Sequence, residues 1–170
     1  MKLAGLDVSG FKLYGQKQSF TFGMVNEIMG DRGKGKTTLC EAIIWCLKGC
    51  DMKGNSRGIL KHLKNESTKE MTVVTRWHFP SPDGGIAHHE LSRMSKGRSM
   101  RLLLDGEQAD QAAFDSLFGP TDVFLSVFLP GYFGGLAAAK AREVLLALLP
   151  AVDVHAVFDS LSGDTSAAAI

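Results

Sequence analysis

The sequence has little net charge, few cysteines and no long apolar run, and each of these shortages excludes a class of protein. The 170 residues carry a formal net charge of only +1 at pH 7, so no overall field attracts a nucleic acid and local basic clusters must be judged separately. The longest apolar run, residues 144–152, is interrupted by Pro150 and is too short to span a bilayer. The amino terminus lacks the continuous apolar core of a signal peptide. We therefore expect no membrane partner.

The three cysteines indicate a reducing compartment. Cys40, Cys46 and Cys50 lie on or just beyond one predicted helix, and no second Cys/His pair stands at metal-ligand spacing. We interpret them as reduced thiols and expect a cytoplasmic location. The composition, 45% hydrophobic and 22% charged, fits one globular domain with a sizeable core.

What the sequence does contain is a complete phosphate-binding P-loop, Gly30-x-x-x-x-Gly35-Lys36-Thr37. Such a loop works between a strand and a helix, where backbone N–H groups and the positive end of the helix dipole converge on a polyphosphate. The apolar residues Val25 and Ile28-Met29 predict a short buried strand before the loop. Helical spacing of apolar residues predicts a helix over Thr37–Lys48, which Gly49 ends.

The predicted nucleotide site comprises this loop and the start of the helix. Lys36 would bridge the β- and γ-phosphate oxygens of ATP, and the Thr37 hydroxyl would help to coordinate Mg²⁺. Thr38 is placed to donate to the α-phosphate. The glycines allow positive φ and leave room for phosphates. The remaining members are Gly30, Asp31, Arg32, Gly33, Lys34 and Gly35, of which Arg32 and Lys34 either contact phosphate or are solvated. Agreement of motif, strand and helix disfavours a chance glycine-rich turn.

Period-two patterns predict strands on both sides of the P-loop. Two strands precede it, and a polar, basic connector over residues 51–70 follows its helix; the connector either contacts a phosphate backbone or is simply solvated. An antiparallel meander comes next, then a helix. The predicted strands are Lys2–Leu13, Ser19–Phe22, Met71–Phe79, Ile86–Met94 and Ser99–Leu104, and the predicted helices are Ile59–Lys64, Gln108–Leu117 and Ala141–Leu149.

Two further groups of residues are similar to functional sites but do not match them fully. Leu102–Asp105 is similar to a Walker B strand, but Gly106 follows it and the stretch has the chemistry of a hairpin. His88 and His89, with His78 on the facing strand, are candidates for a metal site. Adjacent residues of a strand point to opposite faces, so His88 and His89 do not both ligate one ion easily.

The order of these motifs resembles the amino-terminal lobe of an SMC/RecF/RecN-like ABC-type ATPase head. Those ATPases serve chromosome maintenance and double-strand-break repair. The resemblance implies an α/β P-loop NTPase fold with an antiparallel β meander after the P-loop helix, ATP and Mg²⁺ as ligands, and DNA as a candidate partner. The residues that carry it are Val8–Lys12, Phe20–Phe22, Val25–Gly30 and Glu41–Gly49.

Single positions either extend this resemblance or depart from it. The resemblance makes Lys12 a candidate contact to nucleotide phosphate or base, whereas the residue by itself is equally an ordinary solvated lysine at a strand end. Arg32 stands where the family prefers Asn, and Pro130-Gly131 stands where the family has the Gln-Gly pair of the Q-loop.

We assign residues 1–150 to the nucleotide-binding lobe and 151–170 to a short tail, where a coiled-coil arm or second lobe would be expected. The resemblance implies that a working head needs a second ATPase lobe or a homodimer partner, because these supply the signature and the Walker B acid. Leu161–Asp164 is similar to that signature but lacks the helix it would cap, so we interpret it as coincidence. The alternatives are a non-hydrolysing module that engages a partner ATPase and a small P-loop kinase.

Overall fold

A computed structural model of the chain describes residues 1–149. The predicted tail and its Leu161–Asp164 motif lie outside the described residues. The chain divides into two compact units, Met1–Tyr132 and a second unit that begins at Phe133. Each unit is considered by itself.

The first unit is a mixed α/β structure built on one antiparallel sheet. Its strands lie in the order β2-β1-β3-β4-β5-β6, and every neighbouring pair is antiparallel. The strands are β1 Lys2–Ser9, β2 Gln18–Thr21, β3 Glu70–Pro80, β4 Ile86–Lys96, β5 Ser99–Leu104 and β6 Glu107–Ala109, and the helices are α1 Lys36–Lys48, α2 Leu60–Leu63, α3 Gln111–Phe118 and α4 Thr121–Phe128.

The hydrophobic core lies between one face of this sheet and the helices. Alternate residues of β3, from Met71 and Val73 to Thr75 and Trp77, are buried, and α1 packs against β3, β4 and α3. Trp45 of α1 is fully buried and its ring lies 5.9 Å from that of Phe11. The opposite face of the sheet carries polar side chains, as is common for an antiparallel sheet with one solvated face.

Buried cations secure the carboxyl end of α1. The Arg93 Nε donates to the Cys46 carbonyl at 2.9 Å, and the buried Lys48 ammonium lies 2.7 Å from Asp115 Oδ1 on α3. Positive charge at this end of a helix is favourable because the last carbonyls carry partial negative charge. Gly49 ends the helix at φ 64°, and a Cβ there would lie 2.9 Å from the Arg93 guanidinium. The predicted helix end is confirmed.

The meander predicted after the P-loop helix is confirmed. Strands β3, β4 and β5 follow one another through short turns, and Gly97 adopts φ 60° in the second of these turns. The helix predicted at Ile59–Lys64 is also present, as α2.

Two predicted boundaries are wrong. The first strand ends at Ser9 instead of Leu13, because Gly10 and Lys12 adopt positive φ, 67° and 44°, and turn the chain. The helix predicted from Gln108 begins at Gln111, since residues 107–109 form β6 and the Asp110 carboxylate caps the helix by accepting from the Ala113 amide at 2.9 Å.

The strand predicted at Val25–Met29 is wrong. Residues 22–35 contain no strand, and Met24, Val25 and Met29 are 86%, 93% and 79% exposed. The apolar pattern is real, but within residues 1–149 no strand lies beside this stretch to take up its backbone hydrogen bonds. The sheet on this side ends at β2 instead.

The described part of the second unit consists of a short 3-10 turn, Phe133–Gly135, and α5, Ala138–Leu148. The helix predicted at Ala141–Leu149 is therefore confirmed. Val144 is buried, whereas Leu145, Leu146 and Leu148 are more than half exposed. No helix among residues 1–149 combines the length and the hydrophobicity that a bilayer crossing requires.

Candidate nucleotide-binding site

The P-loop joins the irregular stretch after β2 to the first residue of α1. Gly30, Gly33 and Gly35 adopt φ values of 150°, 81° and 92°, which L side chains rarely take. A Cβ at Gly30 or Gly33 would have no atom within 4 Å, so the backbone conformation alone favours glycine there. Gly35 has less room, because its Cβ would lie 2.8 Å from the Tyr14 hydroxyl oxygen.

Lys36 closes the loop on itself. Its Nζ donates to the Gly30 carbonyl at 2.6 Å and to the Asp31 carbonyl at 2.8 Å. The ammonium is therefore held within the loop, where phosphate oxygens would replace these carbonyls as its acceptors. The structure thus brings together Gly30, Asp31 and Lys36, three of the predicted site residues.

The amino end of α1 provides a second group of donors. Its Gly35 cap makes no side-chain capping bond, and the first turn contains no acidic residue. The first backbone N–H groups of a helix have no acceptor within the helix, and they carry the positive end of its dipole. Thr37 is exposed beside them, whereas Thr38 is buried. This end of α1 is suited to a phosphate.

Tyr14 holds the P-loop through a hydrogen bond from its hydroxyl group. Its side chain is buried, and its hydroxyl donates to the Gly35 carbonyl at 3.2 Å. Burial raises the pKa of Tyr14, so the hydroxyl keeps its proton. The sequence places Tyr14 in a turn outside the predicted site. Its one signal was an aromatic residue at a turn that directly follows the first strand.

Lys12 lies against the P-loop helix without being free. Its ammonium forms an ion pair with Glu41 on α1, and its amide donates to the Leu63 carbonyl at 2.7 Å. The Asn65 side-chain amide donates to the Lys12 carbonyl, so the turn is held from both sides. The contact between Lys12 and nucleotide stays a prediction. The ion pair with Lys12 also occupies the carboxylate of Glu41, which lies one turn after Lys36 on α1.

A cleft of about 550 Å³ opens beside the P-loop. The side chains of Leu13, Tyr14, Phe20 and Leu39 provide apolar walls, with Gln18 and Lys36 among its polar members. Small-molecule sites are commonly of this size and combine apolar walls with a few polar groups. The cleft can therefore accept the part of a nucleotide that extends from the phosphates.

Asp105, the last residue of the stretch that is similar to a Walker B strand, forms its hydrogen bonds within the β4–β5 region. It lies at the end of β5 with φ 53° and accepts from the Glu90 amide at 2.8 Å. Its other oxygen lies 2.8 Å from His89 Nδ1. Partial burial raises the pKa of Asp105, but these hydrogen bonds outweigh it and hold the pKa below its usual range. The Asp105 carboxylate therefore stabilises the β4–β5 hairpin.

The residues present fit Mg²⁺ bound together with nucleotide. No group of three or more His, Cys, Asp or Glu side chains within residues 1–149 could hold a metal ion by itself. Mg²⁺ usually keeps several waters and takes its other ligands from phosphates and one or two protein oxygens. Among the predicted site residues, the Thr37 hydroxyl is the protein oxygen placed for this role.

Comparison with known proteins places this geometry in a family. A family model described as an AAA domain matches residues 6–111, which include the P-loop, α1 and strands β3 to β5. No curated protein matches the chain. An AAA domain indicates nucleotide binding of the ATPase type, in agreement with the loop, its lysine and the open amino end of α1. Because the matched residues make up more than half of the chain, the chain belongs to the AAA-domain family.

Proposed function

We propose that the chain is the ATP-binding lobe of an SMC/RecF-like ATPase that acts in DNA repair, replication or recombination. The observation that carries the nucleotide-binding part is the arrangement of Lys36 inside a glycine-rich loop at the uncapped amino end of α1. The antiparallel sheet before and after this loop supports the SMC/RecF-like part, because a simple P-loop kinase would continue into a parallel crossover. The free cysteines, of which Cys46 is fully buried, suit the cytoplasm.

In this proposal the protein binds ATP with Mg²⁺ by exchanging hydrogen bonds. Lys36 releases the Gly30 and Asp31 carbonyls and donates to phosphate oxygens, while the first N–H groups of α1 point at the same phosphates. Thr37 coordinates Mg²⁺, and the bound ion neutralises negative charge on the phosphates. Arg32 and Lys34 are exposed at the rim of the loop and add positive potential.

Replacement of Lys36 tests the nucleotide site. Lys36→Ala removes charge-assisted hydrogen bonds of about 1.5–3 kcal/mol, so we expect ATP affinity to fall about ten- to a hundredfold in calorimetric titrations with Mg²⁺. Lys34→Ala is the matched control, because it removes the same charge from an exposed position of the same loop. It should change affinity only a few-fold.

Equal ATP affinity in the wild type and Lys36→Ala would contradict the assignment of the P-loop. Binding to neither protein would rule out ATP uptake by the isolated chain, and the titration would then be repeated with the proposed partner lobe present. A loss in Lys34→Ala as large as that in Lys36→Ala would mean that net positive charge, and not the position of Lys36, determines binding.

The partner we propose is a second ATPase lobe or a second copy of this chain. Supporting it is the exposed segment Met24–Met29, which directly precedes the P-loop. Four of its six residues are apolar and exposed, Val25 the most at 93%, and the polar pair Asn26-Glu27 lies between them. The segment forms no strand by itself, and the edge strand β2 ends just before it. A partner strand placed here would bury these side chains and satisfy their backbone groups. It would also bring its own residues next to the nucleotide.

The DNA-binding part of the proposal rests on basic residues of the β4–β5 hairpin. Arg98 and Arg101 are exposed, and the third member, Lys96, lies 3.2 Å from Glu70. When a protein neutralises phosphates, the logarithm of its affinity falls linearly with the logarithm of the salt concentration, with a slope of about one unit per contact. With ATP present, Arg98→Gln and Arg101→Gln should each flatten this slope by about one unit, whereas Lys2→Gln at the far end of the sheet should not.

Absence of DNA binding in low-salt gel-shift titrations with nucleotide would remove this role for the chain alone. Equal salt slopes for the wild type and the double variant Arg98→Gln/Arg101→Gln would place the contact elsewhere. The basic connector that includes Lys53, Arg57 and Lys61 is then the next surface to vary.

The second candidate function is a non-hydrolysing module that occupies a partner ATPase. The observation that favours it is the engagement of nearby carboxylates, since Glu41 pairs with Lys12 and Asp105 is bound within its hairpin. In that case ATP binds as above, and turnover stays absent after the partner is added.

A further inference from the structure

His78 and His88 face each other across two neighbouring strands. They are register partners in the β3–β4 pair, and their ring centroids lie 4.3 Å apart with an interplanar angle of 81°. Both belong to the solvated face of the sheet, because their sequence neighbours Trp77 and His89 point to the other side, where the Trp77 ring contacts Phe118. His88 is exposed and His78 is partly exposed.

We propose that His78 and His88 form a two-histidine binding site for a divalent transition-metal ion on the solvated face of the sheet. Imidazole nitrogens are good ligands for Cu²⁺, Ni²⁺ and Zn²⁺. With metal–nitrogen distances of about 2.0–2.1 Å, a tetrahedral ion separates its two nitrogen ligands by about 3.3 Å. Side chains at directly opposed strand positions span this separation, since their Cβ atoms lie about 4.5–5.5 Å apart.

The rings need only a change of side-chain torsion to reach one ion. At present they meet edge to face, and no core packing fixes His88 on this face. Their backbones are held by the β3–β4 ladder, which pairs residues from Glu70↔Lys96 to Pro80↔Ile86 without a bulge. The site is therefore preorganised in the backbone, and water completes the coordination.

Neighbouring charged groups influence how readily the two histidines bind a metal ion. Desolvation, then the charges of His88 and Lys2, lower the pKa of His78, which favours the neutral form of its ring. Lys2 is the β1 register partner of His78. On the same face Arg76 is paired with Asp7 and Glu90, which offset its positive charge. His89 faces the core side with Phe79 and Asp105.

The ligand type separates this site from the nucleotide site. Mg²⁺ prefers oxygen ligands and is a poor match for two imidazoles, whereas affinity for nitrogen ligands rises from Mn²⁺ to Cu²⁺. With two protein ligands the site is also distinct from any cage of three or more His, Cys, Asp or Glu side chains, of which residues 1–149 contain none. The ion we expect is exchangeable and binds without nucleotide.

Calorimetric titration of the tag-free chain with Ni²⁺, and separately with Zn²⁺, tests the site without nucleotide. We expect one ion per chain at pH 7.5 and an affinity that falls as the pH is lowered, because protons compete for the imidazole nitrogens. His78→Ala and His88→Ala should each lower the affinity at least tenfold. The ion should raise the melting temperature of the wild type and of neither variant.

His89→Ala is the matched control, because it removes an imidazole next to His88 that points to the other face. His62→Ala and Cys40→Ser test the remaining described histidine and the one described cysteine outside the core. Each of the three should leave the affinity within about twofold of wild type. An unchanged affinity in the double variant His78→Ala/His88→Ala would overturn the proposal, and so would a tenfold loss in any of the controls.

Discussion

At the scale of single residues, the P-loop is held in shape by groups that the motif does not contain. The Tyr14 hydroxyl binds the Gly35 carbonyl, and Gly35 lies so close to that ring that a side chain does not fit. The left-handed conformation of Gly35 directs the next peptide units into α1. Tyr14 is therefore a positioning residue for the donors of Lys36 and Thr37.

Comparison of two glycine replacements separates backbone strain from this contact. Gly33→Ala imposes positive φ alone, which costs about 1–2 kcal/mol, whereas Gly35→Ala adds a contact of 2.8 Å with the Tyr14 hydroxyl. We expect urea denaturation to show a larger loss for Gly35→Ala than for Gly33→Ala. The double variant Tyr14→Phe/Gly35→Ala should regain part of the difference. Equal losses for both glycines would show that the Tyr14 contact is unimportant.

The sequence predicts the site residues that the motif specifies and misses a contact that tertiary structure adds. Gly35 and Lys36 are recognisable because their spacing follows from the chemistry of phosphate binding. Tyr14 and the pairing of Lys12 with Glu41 depend on contacts between distant parts of the chain, and no local pattern records them. These contacts exist only in the folded protein, where the turn that contains Lys12 and Tyr14 lies next to α1.

At the scale of secondary structure, an ion-pair network joins the first three neighbouring strands. Asp7 of β1 accepts from Arg76 of β3 at 2.6 Å and lies 3.2 Å from the Lys17 ammonium, just before β2. Burial by itself raises the pKa of Asp7, but hydrogen bonds from Arg76, Ser19 and Lys17 outweigh it and lower the pKa to about 2. The network therefore links sheet stability to the charge of one carboxylate.

The stability that Asp7 contributes should disappear in acid. Because its folded pKa of about 2 is below the usual 3.8, this contribution is complete above about pH 4 and is lost as the pH falls towards 2. Asp7→Asn should cost at most about 2 kcal/mol of unfolding free energy at pH 7. Urea denaturation at several pH values should show the difference between wild type and variant shrinking below pH 4.

Glu66→Gln in the exposed connector is the control, and it should change stability by less than about 0.5 kcal/mol throughout. A constant difference between Asp7→Asn and wild type from pH 7 to pH 2 would mean that the carboxylate acts through packing and not through its charge.

Periodicity predicted the elements that find partners within the chain. The strands β3, β4 and β5 alternate and pair in sequence order, so their pattern and their turns suffice. The segment Met24–Met29 also contains four apolar residues, in two adjacent pairs, and yet forms no strand, since strand formation also requires a neighbour. The same reasoning missed β6, because Glu107–Ala109 has only three residues and pairs with β5 through the tight turn at Gly106.

At the scale of the whole molecule, the lobe contains a cradle for phosphates and an exposed apolar segment beside it. Phosphoryl transfer depends on positioning and on electrostatic stabilisation, and the lobe supplies the loop, Lys36 and the Thr37 hydroxyl. Three acids among residues 1–149 are candidates to orient the attacking water, and two of them have other partners: Glu41 pairs with Lys12, and Asp105 is bound at the hairpin. Glu107 lies exposed on β6. In the proposed head, the partner supplies the missing acid.

The isolated chain should therefore bind ATP and hydrolyse it poorly or not at all. A phosphate-release assay at low protein concentration should give turnover no greater than that of Lys36→Ala.

If a second copy completes the site, turnover per chain rises with protein concentration. Val25→Asp then abolishes the rise by placing a charge at an exposed apolar position of Met24–Met29. If a different lobe completes it, turnover stays absent at every concentration. Strong turnover in dilute wild type that Lys36→Ala abolishes would contradict the prediction, and Asp105→Asn would then be the first variant to examine.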